Sequence, residues 1–393
     1  MIKAILLDLD NTLLKNPDHT FALTYLSIAE AFFRERWGIQ DVAQLFVQSI
    51  KAMSNHRDMH TSNTMLRATL LANKTQHPLE KVNADLSTFY ESMFPDLRPC
   101  VEPIPGVRAV VDDFINRDYA VVIATNPLYP AIAIQQKLIW AGLSPNLDDY
   151  AFVTTADNMH YVKPDPAYYA EILARIGIEP DETVMVGDST RNDLHPAQQL
   201  NIHTYHITAP DDATQGSIKH FHQISTQQPS WFDSLHPHNL KIQMIAPQLQ
   251  GNVGALFGLL DQVQDDFWQQ HPDPEEWSIL QIVCHLLESE GHVQRPRLQT
   301  ILNDDSPFLA SPKAPPGPAS QPCDDDGYRV AKKFLTERQK TLAFLEQLQT
   351  SDWTRPARHS IFGPTSLLEM AHFTAQHDRL HLNQLCQTIG NCE

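Results

Sequence analysis

Positive charge is scarce: 29 Lys and Arg stand against 47 Asp and Glu in 393 residues, a formal net charge of −18. Broad binding to nucleic acid or to an anionic membrane needs concentrated positive charge, so this balance argues against both. A small anionic substrate is still allowed, because one local site can invert the field. Long apolar runs are also missing. The opening run at residues 2–7 is too short for a signal-peptide core and is cut off by Asp8 and Asp10. No stretch approaches the roughly 20 apolar residues needed to cross a bilayer. Cysteine is sparse as well. Cys100, Cys284, Cys323, Cys386 and Cys392 are an odd set with no CxxC pair, which does not look like a disulfide framework. A reducing compartment, and hence a cytoplasmic protein, is the simpler expectation.

What is present is globular composition, 42% hydrophobic and 19% charged, in a chain long enough for two or three domains. Three short apolar runs end in polar punctuation, IKAILLDLDNT, YAVVIATN and ETVMVGDS, with AFVTTAD as a weaker fourth. Such runs, separated by helix-length segments, predict buried parallel strands of an α/β sheet. The segment from residue 15 to about 100 reads as helical and would form a cap over the strand ends. Residues 208–238 read as a tail and linker, with a short helix at 217–224. Everything ordered after residue 240 looks helical, and four amphipathic stretches there predict a four-helix bundle. The Pro-rich residues 311–322 should be a surface crossover. Split at His236/Pro237, both halves remain acidic.

Four clusters carry candidate chemistry. Asp8 and Asp10 follow the first apolar run, where side chains two apart face the same way and can converge on one point. One carboxylate could attack phosphorus or bind a cation while the other moves a proton. Thr125 and Asn126 offer a hydroxyl and turn amides to an oxyanion. Lys163, set among prolines, can neutralise negative charge. Asp188 and Asp193 follow the third run and could hold a hard divalent cation. Three of the four clusters lie directly at the carboxyl end of an apolar run, the edge where open α/β sheets bind ligands. Met53, His56, Arg57 and His60 line up at helical spacing, as a solvated face or one turned to the cleft.

In order and spacing these residues resemble the haloacid dehalogenase superfamily, with DLDNT, Thr125, Lys163 and GDSTRND as its four motifs over about residues 1–210. The helical insertion is similar to the α-helical cap of the phosphoglycolate-phosphatase-like branch. The resemblance implies a Rossmann-like core at 1–14 and 101–236 and a cap at 15–100. It implies Asp8 as the nucleophile that forms an aspartyl-phosphate and Asp10 as general acid and then base. Thr125, the Asn126 amide and Lys163 would bind the phosphoryl group. Mg2+ would sit on Asp8, the Asp10 carbonyl and Asp188, with Asp193 in support. The family's C–Cl-cleaving members lack the second aspartate, so Asp10 favours phosphate chemistry. At Leu200-Asn201 relatives usually carry a small residue and glycine; Asn tolerates the left-handed conformation.

In the second half His377 and His381 are an i, i+4 pair, placing two imidazoles on one helix face, and His285 lies on another amphipathic stretch. Beside His285, Cys284 reads as a packed core residue. With Trp277-Ser278, Asp352-Trp353, Gly363 and Gln384, this pattern resembles the DinB-like metal-binding four-helix bundles over about residues 240–390. It implies a divalent zinc, nickel or iron on His285, His377 and His381 in a domain at 237–393. The leading expectation is a Mg2+-dependent phosphatase for a small phosphorylated metabolite, with a homodimer left open. A phosphomutase, a thiol-dependent transferase centred on the bundle, and a metal-binding regulatory module are the alternatives.

Overall fold

The apolar run after Lys3 forms β1 (Ala4–Leu7), whose four residues are all buried. A computed structural model describes residues 1–16, 18–56, 58–209, 216–227, 232, 235, 239–311, 323 and 326–392. Arg57, the split at His236/Pro237 and nearly all of the Pro-rich 311–322 segment therefore lie outside the described residues. The chain divides into two compact units, residues 1–172 with 178–238 and residues 173–177 with 239–393.

In the first unit β1 pairs in parallel with β4 (Ala120–Ile123) on one side and β6 (Thr183–Gly187) on the other, with Ala4 opposite Ala120 and Thr183. β5 (Phe152–Val153) and β7 (His203–His206) complete the order β5-β4-β1-β6-β7. The central strands are Val-, Ile- and Leu-rich because both faces are covered. β7 was not expected from the sequence: HTYH is polar, which an edge strand with a partly exposed face tolerates.

The insertion forms helices at Asp18–Trp37, Val42–Ser54, Asn63–Thr75 and Leu79–Ser92. Phe33, Phe46, Phe89 and Phe94 are fully buried and make its aromatic core. A two-stranded ribbon of β2 (Leu14–Lys15) and β3 (Glu102–Pro103) pairs the two ends of the insertion. The helical face expected across residues 53–60 is not continuous. The helix ends at Ser54, and Asp58 accepts hydrogen bonds from the His60 and Thr61 amides and the Thr61 hydroxyl in the turn beyond.

The second unit carries helices at Ile245–Leu260, Ile279–Ser289, Gly327–Glu346 and Leu367–Cys392. Ser278 caps the second of these in a capping box with Gln281. That helix runs through a π turn (Glu290–Gln294) into Arg295–Asn303; Pro296 lacks an N–H, and the turn before it widens. The expectation of helix throughout fails at a small sheet of β8 (Phe308–Leu309), β9 (Pro356–His359) and β10 (Gly363–Ser366). The cysteine reading is corrected too. Cys284 is buried as expected, but it forms a disulfide with Cys323 across a separation of 39 residues, a pairing that no local spacing reveals.

Candidate active site and metal centre

Because β1 is the central strand, Asp8 emerges at the middle of the sheet's carboxyl edge. Thr125 follows β4 on one side, and Asp188 follows β6 on the other. Asp8, Thr125, Lys163 and Asp193 are all buried. Lys163 Nζ donates to Asp8 Oδ1 at 2.7 Å and to Asp193 Oδ1 at 2.6 Å, tying the nucleophile candidate to the last motif. The Lys163 amide donates to Asn126 Oδ1 at 3.2 Å, so the second motif is held to the third. Tyr168 and Thr154 hydroxyls both donate to the Thr125 carbonyl. Asp193 is fixed further by the Ser189 amide, 2.9 Å from its Oδ2. A glycine is required at 187, since a Cβ there would lie 2.4 Å from that same Oδ2.

Burial pushes the Asp8 carboxyl up to about 8; Lys163 opposes the rise, and Asp193 and Asp10 add to it. Burial also works against the Lys163 charge, but Asp193 and Asp8 more than offset it and raise its proton affinity. Carboxylate oxygens of Asp8, Asp188 and Asp193 lie within 4.8 Å of one another. Three carboxyl groups converging beside one ammonium offer a set of oxygen ligands, which suits a hard divalent cation.

Asp10 makes its hydrogen bonds with residues outside this cluster. Its Oδ2 accepts from Lys137 Nζ at 2.5 Å and its Oδ1 from Asn16 Nδ2 at 2.9 Å. Lys137, 1% exposed, has its ammonium 5.4 Å from the Phe21 ring and 5.5 Å from the Tyr129 ring. Sequence reading missed this residue. In AIAIQQKLIW a lysine looks like part of a solvated face, and only the tertiary pairing with Asp10 shows otherwise.

In the second unit the three candidate histidines come together. His285 Nε2 lies 3.2 Å from His377 Nε2, and ligand atoms of His285, His377 and His381 all fall within 4.8 Å of one another. Trp277 stacks parallel to His381 at 6.0 Å and leans on His285 at 4.9 Å. Burial and the neighbouring imidazoles pull His285 down to about 3 and His377 to about 4; burial lowers His381 as well. Each of these shifts favours the neutral imidazole, the form that ligates a metal. His381 Nδ1 lies 3.0 Å from Gln384 Oε1; a proton shared there leaves Nε2 free to coordinate. Behind the site Arg338 donates to both oxygens of Glu290, at 3.0 and 2.8 Å, and to Asp378 at 2.6 Å, with all three buried.

Acids on both sides of a buried lysine at the carboxyl edge of a parallel sheet form the candidate site of an α/β fold with a helical insertion. The chain belongs to the haloacid dehalogenase-like hydrolase family, whose model matches residues 2–201. Residues 248–385 match the DinB superfamily. A phosphoglycolate phosphatase of Rhodospirillum rubrum is 29% identical over 191 residues, 48% of this chain and 73% of that protein. Phosphoglycolate phosphatase 1 of Pseudomonas aeruginosa is 26% identical over 216 residues, 52% of this chain and 69% of that one. A glyceraldehyde 3-phosphate phosphatase of Methanocaldococcus jannaschii is 36% identical, but over 18% of this chain and 30% of its own length. Among solved structures, a HAD phosphatase from Thermococcus onnurineus covers 57% of this chain and 98% of its own, at 21% identity and a TM-score of 0.37. YfiT from Bacillus subtilis, described as a four-helix bundle of unusual topology, covers 39% of this chain and 88% of its own, at 14% identity and a TM-score of 0.32. Among the described residues, no helix is long and apolar enough to cross a membrane.

Proposed function

We propose that the first unit hydrolyses a small phosphomonoester through an aspartyl-phosphate on Asp8. The observation that carries this reading is the buried Lys163 ammonium bridging Asp8 and Asp193 at the sheet's carboxyl edge. Asp8 attacks phosphorus, its Oδ–P bond forming as the ester P–O bond breaks, and Asp10 protonates the leaving alkoxide. Asp10 then takes a proton from the water that attacks the acyl phosphate, releasing phosphate and regenerating Asp8. Thr125, the Asn126 amide and Lys163 hold the phosphoryl oxygens. Mg2+ on Asp8, the Asp10 carbonyl and Asp188, with Asp193 in support, would supply charge neutralisation for a dianion approaching a carboxylate.

Residues 1–14 and 101–236 serve as core, 15–100 as cap and 237–393 as the bundle. The names of the phosphatase relatives and the agreement of four motifs with one constellation support this division of roles. In the bundle we read His285, His377 and His381 as a transition-metal site. The convergence of three imidazoles whose ligand atoms lie within 4.8 Å of one another favours that reading, whether the domain acts as a thiol-dependent transferase or as a regulatory module. The test of the phosphatase is release of inorganic phosphate from a panel of phosphate esters, with and without Mg2+, by the native chain and Asp8→Asn. Loss of turnover in Asp8→Asn supports the mechanism, and full activity in that variant overturns it. Phosphoryl transfer to a second sugar hydroxyl in place of water would identify a phosphomutase.

A further inference from the structure

The helix that carries His285 brings a second side chain to the three-histidine cluster. Ser289 follows His285 by four residues, the spacing that puts two side chains on one helix face, and the α-helical register holds over that turn because the π turn begins at Glu290. Ser289 is 7% exposed, and its Oγ lies 3.5 Å from His377 Nε2, at the long limit of a hydrogen bond. Among the described residues this is the one hydrogen-bond contact of that hydroxyl. Elsewhere in the chain, helical hydroxyls such as Thr75, Thr336 and Thr374 donate to the carbonyl four residues back. The buried acids next in sequence to Ser289 and His377 have other donors: Arg338 binds both Glu290 and Asp378, Thr341 donates to Glu290, and Asn252 donates to Asp378.

Two requirements meet at this hydroxyl. If His377 coordinates an ion through Nε2, that nitrogen no longer accepts from Ser289, and a buried hydroxyl without a partner is costly. Ligating imidazoles are neutral, so three of them leave the charge of a divalent ion uncompensated within its own ligand set. An open coordination position on such an ion therefore favours an anionic donor, and that donor needs a hydrogen bond of its own.

We propose that the Ser289 hydroxyl donates a hydrogen bond to an anionic ligand, a hydroxide or a thiolate, in the open position of the three-histidine site. The inference rests on the transition-metal reading of His285, His377 and His381. It adds a residue that contacts the incoming ligand and not the ion.

The test loads the metal-stripped full chain with Co2+ and titrates azide, a small anion that leaves the Cys284–Cys323 bond intact, while the visible absorption of the ion is followed. The His377→Ala chain is the blank for Co2+ held by the first unit. Azide should shift the native spectrum beyond that blank and saturate. Ser289→Ala should weaken azide about tenfold or more at unchanged Co2+ content, because a hydrogen bond to a charged group is lost. Ser289→Thr keeps the hydroxyl and should keep most of the affinity. Equal azide affinity in the native and Ser289→Ala chains, both loaded with Co2+, would overturn the proposal and leave the metal site standing. So would loss of Co2+ from Ser289→Ala with the azide affinity of the loaded remainder unchanged, the mark of a hydroxyl that binds the ion itself. Urea unfolding of the metal-free chains separates a packing role, which would lower the stability of Ser289→Ala and spare its azide affinity. A native chain that retains no more Co2+ than the blank would overturn the three-histidine reading, and the proposal with it.

Discussion

At the proposed transition-metal site, replacing His377 with alanine should remove the bound ion and the stability that such an ion would supply. Two imidazole nitrogens on one tetrahedral ion, each at about 2.0–2.1 Å, are separated by about 3.3–3.4 Å. His285 Nε2 and His377 Nε2 stand at 3.2 Å, so the pair needs almost no rearrangement to share an ion. A site filled at about 1,000 times its dissociation constant stabilises the fold by about 4 kcal/mol, all of which depends on occupancy. Gln384→Leu removes only the partner of His381 Nδ1. It should weaken the metal about 10- to 100-fold, or about 1.4–2.7 kcal/mol. The depressed histidines also fix the sign of the pH dependence. Their contribution to stability is present above the ordinary imidazole value of 6.5 and is lost as pH falls toward about 4 and then 3, the folded values of His377 and His285. Metal binding needs the same neutral rings, so its contribution fades in the same direction. The assay is metal content per chain by plasma mass spectrometry after exhaustive dialysis, paired with urea unfolding of loaded and stripped protein. Stoichiometric metal retained by His377→Ala, with unchanged unfolding, would refute the assignment.

Other consequences follow from the same geometry. Arg338→Met leaves Glu290 and Asp378 buried with no counter-charge and should cost about 3–5 kcal/mol in urea unfolding; a loss under about 1 kcal/mol would mean the two acids find other partners. Lys137→Met removes one of the two groups holding Asp10 and should lower kcat about tenfold or more with little change in KM, with partial rescue in Lys137→Arg; an unchanged kcat would make Lys137 a packing residue only. Asp8 titrates at about 8 in the metal-free fold against 3.8 for a free carboxyl, so its contribution to stability is present below about 4 and lost as pH rises through 8. Thermal unfolding of stripped protein should therefore show Mg2+ protection that grows with pH, and protection independent of pH would contradict this.

What could be read from the sequence divides along physical lines. β1, β4 and β6 were legible because fully buried parallel strands are continuous apolar runs, and their polar endings marked the site. β7, as an edge, did not need an apolar run, and β8, β9 and β10 are short and carry Pro, Arg and Gly. His377 and His381 stood out because helical periodicity alone puts them on one face. Asn201 takes the left-handed conformation expected of it, with φ 67°. Lys137 and Arg338 were invisible for a common reason: a charged residue in an amphipathic helix reads as solvated until a partner distant in sequence buries it. The Cys284–Cys323 bond was hidden in the same way, its two ends joined only by tertiary structure.

The most direct test of the central claim is Mg2+-dependent release of inorganic phosphate from phosphomonoesters by the full chain, measured beside Asp8→Asn. The expected result is turnover that a chelator abolishes in the native chain and that Asp8→Asn lacks at every pH. Turnover by Asp8→Asn at the native rate would show that the buried carboxylate bridged to Lys163 is not the nucleophile.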